Sequence, residues 1–251
     1  MTSDTIKILN ARIGNYTFSS LLSDLKKGIL YTPNVDHLMK LQHDREFYEV
    51  YKLATHLCVD SKIVMLAARF LGTPFKEQIA GSDFFPEFCR YHCDDNDIRV
   101  FLLGGSQKDT AKIAMEKTNR RVGRSVIVDY YYPPFGFEKT EEENAKIIYA
   151  IRAAKANVLA VGVGAPKQEK WIANHQKKLP EVALFMGIGA TIDFMAGHVQ
   201  RSPKVFTKLG LEWLHRLVQN PRRLWKRYLI EDFPFFWLIL KQKLGKYGSP
   251  F

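Results

Sequence analysis

Three glycine-rich turns contain the residues of this 251-residue sequence best suited to chemistry. Each turn follows a short apolar run and precedes a helical pattern. Glycine lets a backbone approach a phosphate closely, and the first amides of a helix can bind an anion. Together the turns predict a site for a phosphorylated or nucleotide ligand, although any one of them could simply be a tight turn. Their glycines are Gly104, Gly105, Gly162, Gly164, Gly187 and Gly189.

None of these turns fits a sharper nucleotide-binding template. Gly162 and Gly164 form a Gly-x-Gly pair, but Lys167 stands where the dinucleotide fingerprint requires its third glycine. This mismatch argues against a nicotinamide-dependent oxidoreductase. The sequence also has no GxxxxGK[ST] loop, which argues against a P-loop enzyme, and no HExxH motif.

Two segments contain residue types that bind metals. Cys89, His92 and Cys93 lack a fourth ligand at a suitable spacing, so packing within a helix is the better interpretation. The acidic run at residues 94–97 contains a D-x-D pattern, which can bind a metal-diphosphate. It precedes a predicted strand, however, and is better interpreted as a solvated loop. We therefore predict no metal site and no cofactor.

Polar residues also follow two early predicted strands. Thr32 and Asn34 lie at the end of the first strand, and Asp60 follows the second. In a parallel sheet they would lie at the same edge as the glycine turns. Asp60 could cap the next helix, or it could be the general base that deprotonates an acceptor hydroxyl. The pattern alone favours the cap and leaves both roles open.

The elements that must position these residues alternate between strands and helices. This alternation predicts an α/β fold with a largely parallel, Rossmann-like sheet flanked by helices. Thr17 is predicted to cap the first helix, and Thr140 to open a capping box. The predicted strands are residues 29–32, 57–59, 98–103, 125–129, 158–163 and 182–186. The predicted helices between them include residues 61–71, 106–120, 140–155 and 166–177.

The chain changes character near residue 197, where the strand patterns stop. We predict an α/β body over residues 1–197 and a helical, basic appendage over residues 198–251. From residue 201 onward the chain has eleven Lys or Arg against three Asp or Glu, which is +8 of the formal net charge of +11. A basic tail implies an anionic partner, namely nucleic acid, anionic lipid or a phosphate-bearing substrate. The predicted tail helices are residues 204–218, 222–230 and 234–246.

The cysteines and the apolar runs indicate a compartment. Three cysteines, an odd and sparse number, fit a reducing environment. The first residues lack the basic and apolar pattern of a signal peptide. The longest apolar run near the C-terminus, residues 233–240, is far shorter than the roughly 20 residues of a membrane-spanning helix. We therefore expect a cytoplasmic protein.

Five longer motifs stand out in the sequence: GVGAPKQEKW at residues 162–171, GATIDFMAG at 189–197, RSPK at 201–204, GLEWLHR at 210–216 and PRRLWKRY at 221–228. With these motifs the chain resembles the WecG/TagA/CpsF family of bacterial glycosyltransferases, from about residue 6 to residue 229. Shorter matches are TPN at residues 32–34, Asp60 and GSD at residues 81–83. Ser61 departs from the glycine common in the family, and Gln78 stands where an arginine is frequent.

The resemblance implies an inverting transfer without an obligatory metal. The donor would be a UDP-sugar of the N-acetylmannosamine or uronic-acid type, and the acceptor a polyprenyl-diphosphate-linked sugar used for cell-surface polysaccharide. Asp60 matches the proposed catalytic base, and Thr32 and Asn34 match residues that line its pocket. The PKQE stretch contributes Lys167, Gln168 and Glu169 to the implied substrate site. The appendage arginines implied to reach the lipid diphosphate are Arg216, Arg222 and Arg223.

The tail beyond these arginines is typical of an interfacial helix, because basic residues flank an apolar run. We predict that Lys226 and Arg227 contact the acceptor or the membrane, and that the enzyme is peripheral on the inner face of the cytoplasmic membrane. The apolar run could instead pack on the body or on another copy, so a homo-oligomer stays open. A nucleic-acid-binding module is the alternative function that a pI near 9.5 permits. The body has no RNA-binding signature, and we predict no nucleic-acid partner.

Overall fold

The computed structural model describes residues 4–199, 212–219 and 221–251. The strands are β1 (Thr5–Ile8), β2 (Ala11–Gly14), β3 (Gly28–Tyr31), β4 (His56–Leu57), β5 (Val100–Gly104), β6 (Ile127–Tyr131), β7 (Val158–Gly162) and β8 (Leu184–Gly187). Six of them form an all-parallel sheet in the order β4-β3-β8-β7-β5-β6, and an antiparallel hairpin of β1 and β2 precedes this sheet in the chain. This confirms the predicted α/β, Rossmann-like fold, and each predicted sheet strand is confirmed within a few residues.

Helices cover both faces of the sheet. The body contains α1 (Phe18–Asp24), α2 (Val35–His43), α3 (Arg45–Tyr51), α4 (Lys62–Leu71), α5 (Gly81–Tyr91), α6 (Thr110–Val122), α7 (Glu141–Ala153), α8 (Lys167–His175) and α9 (Thr191–Ala196). The described part of the tail contains α10 (Glu212–Gln219), α11 (Pro221–Lys226) and α12 (Pro234–Lys243), with a π-helical turn at Arg227–Glu231 before α12. Residues 204–211 of the first predicted tail helix lie outside the described residues.

Alternate residues of each central strand enter two separate cores. In β5, Phe101 and Leu103 pack with α2, α3, α4, α7, α8 and α12. Their neighbours Val100 and Leu102 pack with α1, α5, α6 and α9 on the opposite face. Because both faces are covered, the central strands are continuous apolar runs in the sequence.

Two helix starts test the predicted caps. Thr17 caps α1, and its side chain accepts the backbone N–H of Ser20 as predicted. Thr140 is the N-cap of α7, but its side chain makes no capping bond, so the predicted capping box is wrong. Asn144 holds this helix start instead, because its side-chain amide donates to the carbonyls of Phe137 and Thr140 at 3.2 and 3.0 Å.

The last helix packs on the body through one face. Phe235 and Ile239 are buried in the core that contains α2 and α4. The side chain of Gln242 accepts the N–H of Leu9 at 2.7 Å and donates to the carbonyl of Lys7 at 2.9 Å. The amide of Gln242 thus pairs with the hairpin backbone and fixes the end of α12 beside β1.

Candidate active site

The direction of the chain connections reverses between the neighbouring strands β5 and β7. The chain leaves β5 toward β6 at one edge, and it leaves the adjacent strand β7 in the opposite direction, toward β8. The helices that follow, α6 and α8, therefore pack on opposite faces of the sheet. Such a reversal places a ligand site outside the carboxyl ends of the strands. All three predicted glycine turns lie at this edge.

Some of the glycines in the three turns are needed because neighbouring turns pack directly against their backbone. A Cβ atom at Gly104 would lie 2.4 Å from the carbonyl oxygen of Gly162, and one at Gly162 would lie 2.7 Å from that of Gly189. The N–H of Gly105 donates to the Gly162 carbonyl at 3.1 Å. These glycines bring the ends of β5, β7 and β8 closer together than any side chain would allow.

Two other glycines face open space. Gly164 and Gly189 have φ angles of +84° and +52°, and no heavy atom would lie within 4 Å of an added Cβ. A ligand can therefore approach the backbone at these two turns. The tight-turn interpretation therefore holds at Gly104 and Gly162, and ligand binding stays a prediction for Gly164 and Gly189.

Asp60 lies in the corner formed by β3, β4 and the start of α5. Its Oδ1 accepts the N–H of Gly81, the first residue of α5, at 3.3 Å. Its own N–H donates to the carbonyl of Pro33 at 3.3 Å, and Gln78 Nε2 donates to its carbonyl at 2.6 Å. The N-cap of α4 is Ser61, so Asp60 does not cap the helix that follows it. Its carboxylate is directed to the N-terminus of another helix.

Gly81 links this corner to the turn after β8. A Cβ atom at Gly81 would lie 3.6 Å from Thr32 Oγ1 and 3.5 Å from Thr191 Oγ1. Thr32, Asp60 and the start of α9 therefore meet at one point of the sheet edge. Asn34, at the same edge, is the N-cap of α2, because its Oδ1 accepts the N–H of His37 at 3.1 Å.

The side chain of Gln168 links the turn after β7 to the turn after β8. Its side chain is 2% exposed, its Oε1 accepts the N–H of Gly189 at 3.1 Å, and its Nε2 donates to Glu169 Oε1 at 2.7 Å. Both ends of this amide are bonded within the protein. Gly187 lies against it, because an added Cβ would be 3.1 Å from Gln168 Nε2.

The two neighbours of Gln168 differ in environment. Glu169 is fully buried, its Oε2 has no hydrogen-bond partner, and burial raises its pKa to about 7. Its backbone carbonyl accepts the hydroxyl of Tyr31 at 3.3 Å. Lys167 lies nearer the surface, with its ammonium 3.5 Å from Glu138 Oε2 and 5.0 Å above the ring of Phe135.

Asp193 organises the site and was not among the predicted site residues. It is buried in the first turn of α9, and its Oδ1 accepts the N–H of Ser106 at 3.0 Å. This bond fixes the turn after β5 against the helix that follows β8. The signal in the sequence is an acidic residue in the first helical turn after a glycine-rich strand end.

The basic tail residues are not equivalent. Arg222 and Lys226 are exposed, and the Lys226 ammonium lies 3.7 Å from Glu231 Oε1. Arg227 turns toward the body, with its Nε 3.4 Å from Asp36 Oδ1 and 3.8 Å from Asp232 Oδ2. The side chains of Arg216 and Arg223 lie outside the described residues.

Within the ranges that the structure describes, no group of three or more His, Cys, Asp or Glu side chains could hold a metal ion. No helix in the same ranges combines the length and the hydrophobicity needed to cross a membrane.

The all-parallel sheet flanked by helices defines the class of this molecule, a Rossmann-like α/β protein. Comparison with protein families gives the next step. The sequence model of one protein family, described as the glycosyl transferase WecG/TagA/CpsF family, matches residues 6–249 of the 251. The chain therefore belongs to this family and is a glycosyltransferase, which confirms the resemblance in its motifs.

Proposed function

We propose that this enzyme transfers a sugar, with inversion, from a UDP-sugar to a polyprenyl-diphosphate-linked sugar in bacterial cell-surface polysaccharide synthesis. The observation that carries the proposal is a carboxylate, Asp60, at the same sheet edge as two open glycine turns. Family membership supports the transfer of a sugar. The donor class, acceptor class and residue roles are the proposed part.

The glycine turns suit the nucleotide diphosphate. At Gly164 and Gly189 the backbone is open to close approach, and α8 begins three residues after Gly164. The N–H of Gly189 is already donated to Gln168, so the proposed contact with the diphosphate is the positive end of α8, which stabilises negative charge that develops on a leaving group. Fixed dipoles of this kind supply charge stabilisation without a metal ion. The proposed donor is of the N-acetylmannosamine or uronic-acid type.

Asp60 is the proposed base for the acceptor hydroxyl. The hydroxyl oxygen forms a bond to the anomeric carbon as that carbon loses its bond to the UDP oxygen, and the hydroxyl proton passes to the carboxylate. UDP leaves with the electrons of the broken bond, and the configuration at the anomeric carbon inverts. The Gly81 N–H at 3.3 Å from Oδ1 orients this carboxylate. A positioned base of this kind contributes about 10²–10⁴-fold to rate.

The tail provides the link to a lipid-bound acceptor. Arg222 and Lys226 are exposed, and large apolar residues beyond them, such as Trp237, are exposed as well. Cationic groups beside exposed aromatic ones suit the interface of an anionic leaflet. The proposed location is the inner face of the cytoplasmic membrane, where UDP-sugars and the lipid acceptor meet.

Calorimetry with UDP and with NAD, followed by transfer assays, tests the proposed ligand class. We expect UDP to bind and NAD not to bind. A panel of UDP-sugars should then yield one donor that is transferred to a short-chain prenyl-diphosphate sugar. Binding of NAD without UDP, or failure of every UDP-sugar in the panel to react, would contradict the proposal.

A further inference from the structure

We propose that α4, a helix of the catalytic body, forms a membrane-docking face together with α12, so that the bilayer contacts the body as well as the tail. This inference rests on the proposed function, because it assigns the surface that meets the lipid acceptor. The docking face consists of Leu66, Phe70, Phe233, Phe236, Trp237, Leu240 and Leu244, all of them exposed.

The C-terminal helix has two apolar sides. Phe235 and Ile239, four residues apart, are buried against the body. Phe236 and Trp237 are 55% and 59% exposed, and Phe233 is exposed beside Phe236 with the ring centroids 6.2 Å apart. The body therefore covers one side of α12 and leaves a row of aromatic side chains in water.

Helix α4 has a second row beside the first. Leu66 and Phe70 are 52% and 51% exposed, and their spacing of four residues puts them on one side of the helix. Ala67 and Ala68 of the same helix are buried in the core. The two helices pack against each other, and the Lys243 ammonium of α12 lies 5.7 Å from the centroid of the Phe70 ring. The two rows thus form one surface.

The charges around this surface favour an anionic bilayer as its occupant. Arg69 of α4 and Lys243 of α12 are exposed, and Lys241 lies 5.6 Å over the ring of Trp237. A second copy of the chain would bring these cations against their own equivalents. An anionic leaflet instead attracts each of them by about 1 kcal/mol and accepts the apolar side chains.

The position of α4 connects this face to the site. The helix begins at Lys62, two residues after Asp60, and a helix rises about 1.5 Å per residue. Leu66 is therefore roughly 6 Å along the helix from its start, and Phe70 roughly 12 Å. An acceptor held in the leaflet by its prenyl chain can then present its diphosphate near Asp60 without leaving the bilayer.

Co-sedimentation of the full chain with lipid vesicles tests this face. The vesicles are equal parts phosphatidylglycerol and phosphatidylcholine. The test variant is Leu66→Ser with Phe70→Ser, and the matched control is Tyr91→Ser with Tyr149→Ser, which removes two exposed aromatic residues from α5 and α7. We expect the test variant to bind at least about tenfold more weakly than wild type, because two large side chains no longer enter the interface. The control should bind like wild type.

Equal binding of the test variant and wild type would overturn the proposal. The proposal would also be overturned if wild type is a dimer, the test variant is a monomer, and both bind vesicles equally. The exposed face would then be a contact between two copies of the chain. Transfer to a water-soluble short-chain acceptor separates this inference from the proposed function. The test variant should keep that activity, which also shows that it folds. If wild type transfers no sugar from any UDP-sugar, the proposed function is contradicted, but the comparison of vesicle binding still tests the docking face.

Discussion

Glu169 shows how one buried side chain affects the pH dependence of folding. Burial raises its pKa from 4.5 to about 7, so the folded protein holds this proton more tightly than the unfolded chain does. Its contribution to stability is therefore fully present below pH 4.5 and is lost as the pH rises toward 7.

Replacing Glu169 with Gln should remove this dependence. The quantity to compare is the free energy of unfolding of Glu169→Gln minus that of wild type. We expect this difference to increase as the pH rises from 4.5 to 7 and to level off above 7. The change should be on the order of 3 kcal/mol. Urea unfolding at a series of pH values measures it, with Glu116→Gln on the exposed side of α6 as the control. A relative stability of Glu169→Gln that stays constant across this range would contradict the prediction.

The roles of individual residues could be predicted only where one residue type, such as glycine after an apolar run, is enough to indicate the role. The glycines after β5, β7 and β8 were predictable because their spacing after apolar runs is visible in the sequence. That Gly104 serves packing while Gly164 faces open space depends on which turns become neighbours, which follows from strand order. The burial of Gln168 follows from that neighbourhood as well, since its partner Gly189 is 21 residues away.

At the scale of elements, strands were easier to predict than the elements around them. The sheet strands are apolar runs bounded by glycine or polar residues, because both faces of the sheet are covered. The hairpin of β1 and β2 was not predicted, because its strands alternate buried and exposed residues and are not continuous apolar runs. A helix was predicted around Cys89, but the bounds of α5 were not, because the helix contains Pro86, a residue that normally ends a helix.

An ionic cluster joins the tail to α2. Arg227, in the turn before α12, lies between Asp36 of α2 and Asp232. Lys40 pairs with Asp36 on the same helix. Asp36 lies two residues after Asn34, which caps α2 at the candidate site, so the cluster connects the tail to the helix that begins there.

Replacing Arg227 with Ala should loosen α12 from the body. Asp36 and Asp232 are both nearly buried and would lose their shared cation, which we expect to cost roughly 1–3 kcal/mol. Hydrogen exchange of the backbone amides over residues 234–243 measures the change, and the exposed Arg222→Ala is the control. In a double-mutant cycle, Arg227→Ala should have a smaller effect in Asp36→Asn than in wild type. Equal effects in the two backgrounds would show that the two residues are not coupled.

At the scale of the whole molecule, charge is concentrated at one end of the chain. Residues 201–251 hold +8 of the formal net charge of +11. The concentration was visible in the sequence, but which apolar tail residues are buried was not. Helix α12 is apolar on both sides, so no pattern distinguishes the buried Phe235 from the exposed Phe236.

This asymmetry predicts salt-sensitive binding to anionic vesicles. Each exposed Lys or Arg near an anionic leaflet contributes about 1 kcal/mol, and salt screens that attraction. Raising sodium chloride from about 0.1 to about 0.5 M should weaken binding of the full chain severalfold. Vesicles of phosphatidylcholine alone should bind weakly at both concentrations. Binding to anionic vesicles that does not change with salt would contradict an electrostatic role for the tail.

The transfer activity of Asp60→Asn tests the central claim most directly. The variant keeps the shape of the side chain and an oxygen that can accept the Gly81 N–H, but it removes the base. We expect single-turnover transfer from the accepted UDP-sugar to a short-chain prenyl-diphosphate sugar to fall by about 10²–10⁴-fold. Calorimetric affinity for UDP should stay near wild type, and the exposed Asp94→Asn should retain full activity. Near-wild-type turnover by Asp60→Asn would contradict the assignment of this carboxylate as the base.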